Sequence, residues 1–458
     1  MDSKETKLNN NIRIAIDTLG CKVNQAESEQ LSRQLVTAGF HIVPPEQPAD
    51  IYVLNSCTVT HIADRKSRHR LSLAHRRNPA AVVVVTGCYA AWAKQDLAAL
   101  PGVSLVVNNR DKSRLVQIIE ESGLLSKFKN TIPAATQQGP GSIRRQKSRL
   151  TGQTTTSENS FPELLTGEPP WRTRAFIKVQ DGCHNFCSYC IVPLVRSNEI
   201  CEPPEAVVSE VSRREKEGYR EVVITGVEVG SYRYADVDLT GLLRRVLADT
   251  GIPRLRLSSL QPEEITPDLL ALWNSPRLCR HFHLSLQSGS NTVLRRMNRR
   301  YTTAGYARAA ALIRSAVPAA AITTDIITGF PGETAEEFAA SYEFCKTMEF
   351  ARIHVFPFSP RKGTEAAALT DRVSDTEKRQ RTEQMLALAE TCIVNFSRKF
   401  LDQSLTVLFE QMEGGYWSGL TDNYIRVYVA GPDDLTNRML PVTLKEIRSD
   451  GVMGMLLP

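Results

Sequence analysis

Short apolar runs of strand length recur through the central part of the chain. Segments long enough for a crossover helix separate these runs, which read "AFIKV", "EVVITGV", "RLRLSSL", "HFHLSLQ", "AITTDIITGF" and "RIHVFPF". This spacing is typical of parallel β-strands that alternate with α-helices. We therefore predict a partial (β/α)6 barrel, in which functional groups lie at the carboxyl ends of the strands.

The two ends of the chain have different patterns. Before the central region, the strands "IRIAI", "DIYVLN", "AVVVVT" and "VSLVV" alternate with helical segments, which predicts a three-layer α/β domain. Residues 400–458 alternate short strands with turns, as in a small antiparallel β-barrel. The predicted divisions are an N-terminal domain 1–125, a polar linker 126–170, the (β/α) barrel 171–395 and the C-terminal barrel 400–458.

Composition restricts the setting of the protein. The 458 residues are 42% hydrophobic, enough for several buried cores, and the formal net charge of +6 is a modest indication of a polyanionic partner. We find no signal peptide and no apolar run of about 18 residues that could span a bilayer, so we expect a cytoplasmic protein with no membrane partner. Ten cysteines in that compartment indicate metal binding or reactivity rather than disulfides.

Three cysteines lie within eight residues in the segment "KVQDGCHNFCSYCIVPLVRS". Cys183, Cys187 and Cys190 directly follow the first strand of the predicted barrel. A structural zinc ion prefers four ligands, commonly from two cysteine pairs, and no second pair follows within range. A cubane iron–sulfur cluster held by three cysteines leaves one iron open to a small molecule. The spacing therefore favours a cluster over zinc.

Three more cysteines are dispersed along the N-terminal domain. Cys21, Cys57 and Cys88 each come shortly after a predicted strand, in "TLGCKVN", "NSCTVT" and "TGCYA". Loops at the carboxyl ends of adjacent parallel strands converge on one side of a sheet, so these cysteines predict a second three-cysteine cluster. The alternative is three separate buried thiols, because cysteine is often buried. The remaining cysteines have no ligand spacing and are interpreted as structural: Cys201, Cys279, Cys345 and Cys392.

The CxxxCxxC spacing, with the aromatic Tyr189 directly before the last cysteine, resembles the signature of the radical S-adenosylmethionine superfamily. That resemblance implies that the open iron binds the methionine end of S-adenosylmethionine and that one electron cleaves it to a 5′-deoxyadenosyl radical. It also implies cofactor contacts at strand ends, for which we select Tyr189, Thr225, Gly226, Ser258, Ser259, Gln287, Asp325 and Phe356. The segment "GFPGET" fits either such a contact or a plain turn before a helix.

The order "TLGCKVNQAESE", "NSCTVT", "TGCYA", CxxxCxxC and a small C-terminal module resembles the methylthiotransferases over essentially the whole chain. In that family the N-terminal cluster carries the sulfur that is inserted. One S-adenosylmethionine methylates that sulfur and a second is cleaved to the radical that opens an unactivated carbon–hydrogen bond. The resemblance implies two 4Fe-4S clusters, two molecules of S-adenosylmethionine per turnover and an electron donor such as flavodoxin or ferredoxin. Radical chemistry needs no general acid or base, so we name no catalytic residue beyond the cluster cysteines.

RNA is the predicted macromolecular partner. The C-terminal module resembles a TRAM domain, an RNA-binding module of tRNA-modifying enzymes, although a generic β cap is an alternative. Basic residues concentrate in "DRKSRHRLSLAHRRNP", "RRQKSR" and "LRRMNRRYT". Phosphate contacts are expected from Arg68 and Arg70. Arg299 and Arg300 lie near the predicted barrel mouth, where we expect them to contact either RNA, including a carboxylate of the substrate, or the carboxylate of the cofactor.

Within the family, "SGLTDNYIRV" and "TLGCKVNQAE" look most like the branch that acts on N6-threonylcarbamoyladenosine beside the tRNA anticodon, at position 37. The resemblance implies methylthio insertion at C2 of that base within the anticodon stem-loop, and we expect a monomer. Isopentenyladenosine in tRNA and an Asp of a ribosomal protein are alternative substrates. A non-enzymatic iron–sulfur protein that binds RNA or transfers electrons is the alternative from a different class.

Overall fold

The computed structural model describes residues 12–129 and 173–457, which form two units. Residues 12–19, 28–56 and 65–129 belong to the first unit, and residues 20–27, 57–64 and 173–457 belong to the second. Two short segments that carry Cys21 and Cys57 therefore group with the C-terminal part of the chain rather than with the strands that precede them. Most of the predicted linker, with its "RRQKSR" segment, lies outside the described residues.

The first unit is built on a five-stranded parallel sheet of order β2-β1-β3-β4-β5. Its strands are β1 Arg13–Thr18, β2 His41–Val43, β3 Ile51–Ser56, β4 Val82–Gly87 and β5 Val103–Val106. Every residue of β3 and β4 is buried, as expected for central parallel strands with both faces covered. Helices of the N-terminal region are α1 Lys22–Thr37, α2 His61–Arg77, α3 Cys88–Trp92, α4 Lys94–Ala98, α5 Leu115–Glu121 and α6 Ser126–Lys129, with a 3-10 helix at Asn109–Arg114.

The second unit contains the predicted (β/α) barrel. Its strands are β6 Arg174–Asp181, β7 Ile200–Cys201, β8 Glu221–Gly226, β9 Arg233–Tyr234, β10 Val237–Asp238, β11 Arg254–Leu257, β12 Ser259–Leu260, β13 His281–Leu284, β14 Ala321–Thr328 and β15 Arg352–Pro357. Parallel pairs join β6, β8 and β11, and also β12, β13, β14 and β15. The predicted strand "RLRLSSL" is interrupted at Ser258, so β11 and β12 together occupy the third of six positions. The six predicted βα units are confirmed.

Helices surround these strands and complete the barrel. They are α7 Val192–Val195, α8 Pro204–Lys216, α9 Leu239–Asp249, α10 Pro267–Leu270, α11 Asn291–Arg296, α12 Thr303–Ala316, α13 Ala335–Thr347, α14 Glu365–Ala368 and α15 Asp375–Arg398, with 3-10 helices at Val229–Ser231, Pro262–Glu264 and Ala271–Asn274. Thr334 caps α13 and forms a reciprocal capping box with Glu337. The turn-and-helix interpretation of "GFPGET" therefore describes the local structure. None of the helices in the described part of the chain is both long and apolar enough to cross a membrane.

A closed five-stranded β-barrel completes the second unit, in the order β16-β17-β18-β20-β19. Its strands are β16 Ser404–Glu413, β17 Tyr416–Thr421, β18 Arg426–Val429, β19 Met439–Ile447 and β20 Val452–Leu456. The barrel is antiparallel as predicted, except that β18 and β20 pair in parallel. It packs against the amino ends of the (β/α) strands, because Ala321 and Ala351 share its apolar core.

Buried arginines connect the two barrels. Arg256, only 1% exposed, pairs with the fully buried Glu221 at 2.7 Å and donates to the carbonyl oxygens of Thr421 and Asp422. Burial alone would raise the pKa of Glu221, but the charge and hydrogen bond of Arg256, together with the charges of Arg174 and Arg254, outweigh it and lower the pKa to about 2. Arg254 donates to the Leu420 carbonyl oxygen at 2.9 Å. This network leaves the opposite ends of the strands available for a functional site.

Candidate functional site

The three-cysteine loop begins one residue after β6 ends. Gly182 has φ +82°, and a Cβ atom there would lie 2.1 Å from the carbonyl oxygen of Asn198, so this position requires glycine. Farther along, the Ser188 N–H donates to the Met297 carbonyl oxygen at 3.1 Å, and the Cys190 N–H donates to that of Cys187 at 2.9 Å. The first bond holds the loop against the segment that follows α11, and the second closes a turn within the loop.

Charged side chains contact two of the thiols. Cys187 Sγ lies 3.1 Å from Arg299 Nη1, and Cys183 Sγ lies 3.0 Å from Glu228 Oε2. Burial raises the pKa of the Cys183 thiol, and its hydrogen bond to Glu228 raises it further. Arg299 also donates to Gln261 Oε1 and lies 4.8 Å from the ring centroid of Tyr301. The loop therefore borders a polar environment at the carboxyl ends of the strands.

A cavity of about 460 Å³ opens beside Cys187. Its walls carry both charges, from Glu228, Glu263, Glu264, Arg299 and Arg300, together with polar groups such as Gln261 and Tyr301. Burial raises the pKa of Glu264 to about 7. Such a lining suits a ligand that carries an ammonium, a carboxylate and a further positive charge, because each group finds an opposite charge or a hydrogen-bond partner.

The sulfur geometry fits a multinuclear cluster better than a single ion. A tetrahedral zinc ion with Zn–S bonds of about 2.3 Å needs sulfurs about 3.8 Å apart. In the described residues, His283, Asp325 and His354 are the one set of three His, Cys, Asp or Glu residues whose ligand atoms all lie within 4.8 Å of one another, so at least two of the loop sulfurs are more than 4.8 Å apart. Wider spacing is expected where each thiolate binds a different iron. The cysteine set therefore fits a 4Fe-4S cluster.

The structure separates the eight predicted cofactor residues from this cavity. None of them is among the described residues that line it. Tyr189 packs beside the apolar cluster of Val293, Met297, Phe330 and Ala366. Gly226 is packed against the Gln180 side chain, and Thr225 is buried. Their roles in cofactor binding stay predictions.

The other predicted cofactor residues have diverse surroundings. The buried Ser258 hydroxyl has no hydrogen-bond partner in the described chain, whereas Ser259 is exposed. Gln287 adopts φ +70° and its N–H donates to the Asp325 carbonyl oxygen at 2.8 Å. The ring of Phe356 is exposed at the end of β15. An unpaired buried hydroxyl is costly, so Ser258 is the member of this group whose geometry most favours a ligand.

Asp325 lies inside the barrel between two imidazoles. Its carboxylate is 3.2 Å from His283 Nε2 and 3.5 Å from His354 Nδ1. Burial raises the pKa of Asp325, but the hydrogen bond from His283 and the charges of His283, His354 and Lys22 together outweigh it, so the net shift is downward. Burial also lowers the pKa of His354 to about 4, so this imidazole is neutral at neutral pH. Asp325 therefore has both imidazoles as polar partners within the barrel.

The N-terminal cysteines follow neighbouring strands. Cys57 comes directly after β3 and Cys88 directly after β4, and the last residues of these strands, Ser56 and Gly87, are paired in register. Cys21 follows β1, which pairs with the other side of β3. Cys57 and Cys88 are buried and Cys21 is exposed. The strand order agrees with the reasoning from sequence, and the joint ligation of a cluster stays a prediction.

The two arginines predicted to contact phosphates have partners within the first unit. Arg68 Nη1 donates to the Tyr89 hydroxyl at 2.6 Å, and Arg70 Nη1 lies 3.6 Å from the buried carboxylate of Asp17. Other cations of α2, namely Arg65, Lys66 and Arg76, are exposed. Both predicted residues thus contribute to the packing of α2, whatever they contribute to RNA binding.

Sequence reasoning missed several residues that line the cavity. Glu228, Gln261, Glu264 and Tyr301 were not selected, whereas Arg299 and Arg300 were. Glu228 lies two residues beyond the end of β8, and Gln261 lies one residue beyond β12. Their positions just past strand ends were the available signal, because that is where barrel sites are built.

Comparisons with known proteins agree with this architecture. Residues 177–345 match the radical SAM superfamily, and residues 13–109 match a family described as uncharacterized protein family UPF0004. Threonylcarbamoyladenosine tRNA methylthiotransferase MtaB of Bacillus subtilis is 34% identical, covering 94% of this chain and 93% of its own length. The protein of the same name from Aquifex aeolicus is 36% identical, with coverages of 91% and 96%.

A solved structure supports the fold alone. The radical S-adenosylmethionine methyltransferase TsrM from Kitasatospora setae has a TM-score of 0.52 and 16% identity, covering 78% of this chain and 74% of its own. A three-cysteine loop on the first strand of a six-position parallel barrel, bordering a charged cavity, is the architecture of a radical S-adenosylmethionine enzyme. The chain belongs to the family of the threonylcarbamoyladenosine tRNA methylthiotransferases. Membership implies one 4Fe-4S cluster and S-adenosylmethionine as cofactors.

Proposed function

We propose that this protein inserts a methylthio group at C2 of N6-threonylcarbamoyladenosine at position 37 of tRNA. The observation that carries the proposal is identity of 34% over nearly the whole length of a relative with that named substrate, in a chain whose Cys187 borders a charged cavity. The bound cofactors supply one electron to cleave S-adenosylmethionine and the sulfur for transfer. The side chains of the protein bind and orient the reactants.

Cys183, Cys187 and Cys190 hold the radical cluster in this proposal, and the cavity beside them takes S-adenosylmethionine. Arg299 is placed to pair with the carboxylate of the methionine moiety, because it already lies 3.1 Å from Cys187 Sγ. Glu228 and Glu264 face the same cavity and suit the positively charged amino and sulfonium groups. The eight predicted strand-end residues lie outside the lining of this cavity, so they would contact only a part of the cofactor that extends beyond it.

Cys21, Cys57 and Cys88 hold a second 4Fe-4S cluster, which carries the transferred sulfur. Support comes from their positions just beyond three neighbouring parallel strands. Substitution of any one of them is expected to stop sulfur insertion while reductive cleavage of S-adenosylmethionine continues. Loss of cleavage in all three variants, with the fold intact, would contradict this division of labour.

The anticodon stem-loop of tRNA is the proposed substrate, and a cytoplasmic monomer with a flavodoxin or ferredoxin as electron donor is the proposed setting. The exposed cations of α2 and the TRAM-like C-terminal barrel supply phosphate contacts. Anticodon loops are single-stranded, so the base can unstack into the barrel mouth at low cost. Arg299 and Arg300 both line the cavity, and since Arg299 is assigned to the carboxylate of the methionine moiety, we assign the exposed Arg300 to the carboxylate of the threonylcarbamoyl group.

Mass analysis of tRNA nucleosides tests the proposal. A deletion strain should lack the methylthio derivative of threonylcarbamoyladenosine, and the wild-type chain should restore it. Cys187→Ala should fail to restore it, whereas Cys201→Ala, outside both predicted ligand sets, should restore it. Appearance of methylthiolated isopentenyladenosine instead, or no change in either nucleoside, would overturn the assigned substrate.

A further inference from the structure

Two segments from the N-terminal region group with the (β/α) barrel, and each carries a predicted cluster cysteine. Residues 20–27 contain Cys21, and residues 57–64 contain Cys57. The two segments contact each other, since a Cβ atom at Gly20 would lie 2.8 Å from Cys57 Cβ. Whatever fixes these segments on the barrel therefore fixes two of the three predicted ligands of the sulfur-carrying cluster.

Arg196 fixes the first segment. Its side chain is only 5% exposed, and Nη1 donates to Glu27 Oε1 at 2.8 Å and to Asp181 Oδ1 at 2.7 Å. Its other terminal nitrogen, Nη2, donates to Asn24 Oδ1 and Glu27 Oε2, both at 3.0 Å. Lys178 reinforces the group by bridging Glu27 at 3.0 Å and Asp181 at 2.9 Å.

Asp181 connects this contact to the radical loop. Asp181 is the last residue of β6 and lies two residues before Cys183, the first cysteine of the radical loop. One guanidinium therefore joins the start of the radical loop to the helix turn that follows Cys21. The planar fork of arginine fixes both partners in direction as well as distance, which a lysine ammonium does not.

Arg361 makes the equivalent contact for the second segment. It is 2% exposed, and its Nη2 donates to Thr58 Oγ1 at 2.6 Å and to Asp64 Oδ2 at 2.7 Å. Thr58 is adjacent to Cys57 and donates to Asp64 Oδ1 at 2.7 Å. Arg361 itself lies in the segment that follows β15, at the carboxyl end of the barrel.

We propose that Arg196 and Arg361 are positioning residues that hold the Cys21 and Cys57 segments at a fixed place relative to the radical loop. The inference rests on the proposed function, because a fixed separation matters only if radical and sulfur must reach the same carbon. Without the contacts of Arg196 and Arg361, the 5′-deoxyadenosyl radical still forms, but the transferred sulfur is not in place when the substrate radical appears. The expected defect is uncoupling rather than inactivity.

Arg196→Lys is the informative variant, because it retains the charge and loses the fork. In the metal-free full-length chain, hydrogen exchange of residues 20–27 should accelerate by about tenfold or more, with the rest of the chain unchanged. In the reconstituted enzyme, iron should stay at about eight per chain while 5′-deoxyadenosine formed per methylthiolated product rises about fivefold or more. Arg361→Lys should act in the same way on residues 57–64.

Arg381→Lys is the matched control, because it makes the same exchange at another buried arginine. Arg381 is also a buried arginine, pairing with Glu333 at 2.9 Å, but its described partners lie outside both cysteine segments. Its loss should lower stability without changing the ratio of 5′-deoxyadenosine to product. An unchanged ratio of 5′-deoxyadenosine to product in Arg196→Lys would overturn the inference. A fall to about four irons per chain would also overturn it, because Arg196 would then be needed for the cluster to bind and not only for its position. Failure of the proposed function shows separately, as absence of methylthiolated product in the wild type.

Discussion

At the scale of single residues, charged side chains contact the cysteine thiols of the candidate site. Arg299 contacts Cys187 and Gln261 together, and Glu228 contacts Cys183. Glu264 lies in the same cavity with its pKa raised to about 7 by burial. A raised pKa means that the ionised carboxylate is less favourable in the folded protein than in the unfolded chain. A bound ligand that supplies a positive charge can offset this destabilisation.

Glu264→Gln should change how stability depends on pH. The folded state holds the Glu264 proton more tightly than the unfolded state does. The wild type therefore loses stability as the pH rises from 4.5, the ordinary pKa of a glutamate, toward about 7, the pKa of Glu264 in the folded state. The free energy of unfolding of the metal-free wild type should fall by about 2 kcal/mol more than that of the variant between about pH 5.5 and pH 8. Urea unfolding at both pH values measures the difference. Glu263→Gln, at the exposed neighbouring position, is the control, and parallel pH profiles for wild type and Glu264→Gln would contradict the expectation.

Residue identities allowed part of the site to be predicted. The cysteine spacing predicted a cluster loop because the three candidate ligands are local in sequence, and their ligation of a cluster stays a prediction. Arg299 was found through its charge, but its contact with Cys187 depends on the turn after α11 and is invisible in the sequence. Glu228 and Gln261 were missed because polar residues past strand ends are common, and only the folded barrel shows which of them face one cavity.

At the scale of elements, apolar periodicity determined most of the fold. Runs such as "AVVVVT" become strands buried on both faces, and such strands are recognisable because nothing polar interrupts them. The break at Ser258 was not foreseen, since "RLRLSSL" alternates like an uninterrupted strand. The basic face of α2 was recognised, but charge alone could not show that Arg70 lies near the buried carboxylate of Asp17.

Charge reversal along α2 should separate binding from packing. Arg65→Glu and Lys66→Glu alter exposed cations and should weaken tRNA binding, with the slope of log affinity against log salt reduced by about one for each phosphate that is no longer bound. Arg70→Glu should also lower the melting temperature, because it places a like charge beside Asp17. Fluorescence anisotropy across a salt series and thermal unfolding measure the two effects.

Arg379→Glu, on the exposed surface of α15, is the charge-matched control for that experiment. It should leave the salt slope unchanged. If reversal at Arg65 and Lys66 also leaves the slope unchanged, α2 is excluded from the RNA-binding surface.

At the scale of the whole molecule, a buried ion pair lies where the two barrels of the second unit pack together. The pattern of apolar strand residues in the sequence does not reveal this pair. Glu221 begins β8 and Arg256 lies in β11, and both are buried where the C-terminal barrel packs. Removing one partner leaves the other charge buried and uncompensated, which costs about 3–5 kcal/mol. The ion pair therefore makes the packing of the barrels sensitive to single substitutions.

Arg256→Met should destabilise the second unit by about 3–5 kcal/mol, and adding Glu221→Gln should recover part of the loss. Because the pKa of Glu221 is lowered to about 2, the wild type should also lose this contribution as pH falls from about 4.5 toward 2. Urea unfolding of the two variants and the wild type gives the comparison. Additive losses in the double variant would show that the two residues are not an energetic pair.

The arginines at the base of the barrel bond to the main chain of the C-terminal barrel as well as to Glu221. Arg254 donates to the carbonyl oxygens of Leu420 and Thr406, and Arg256 to those of Thr421 and Asp422. A carbonyl oxygen is present whatever side chain the residue carries. These contacts therefore tolerate side-chain changes at their acceptors. The Asp422 and Glu410 carboxylates also pair with Arg280 and Arg174 of the (β/α) barrel, so a chimera that carries the corresponding barrel of a relative should assemble on this chain when it retains both carboxylates.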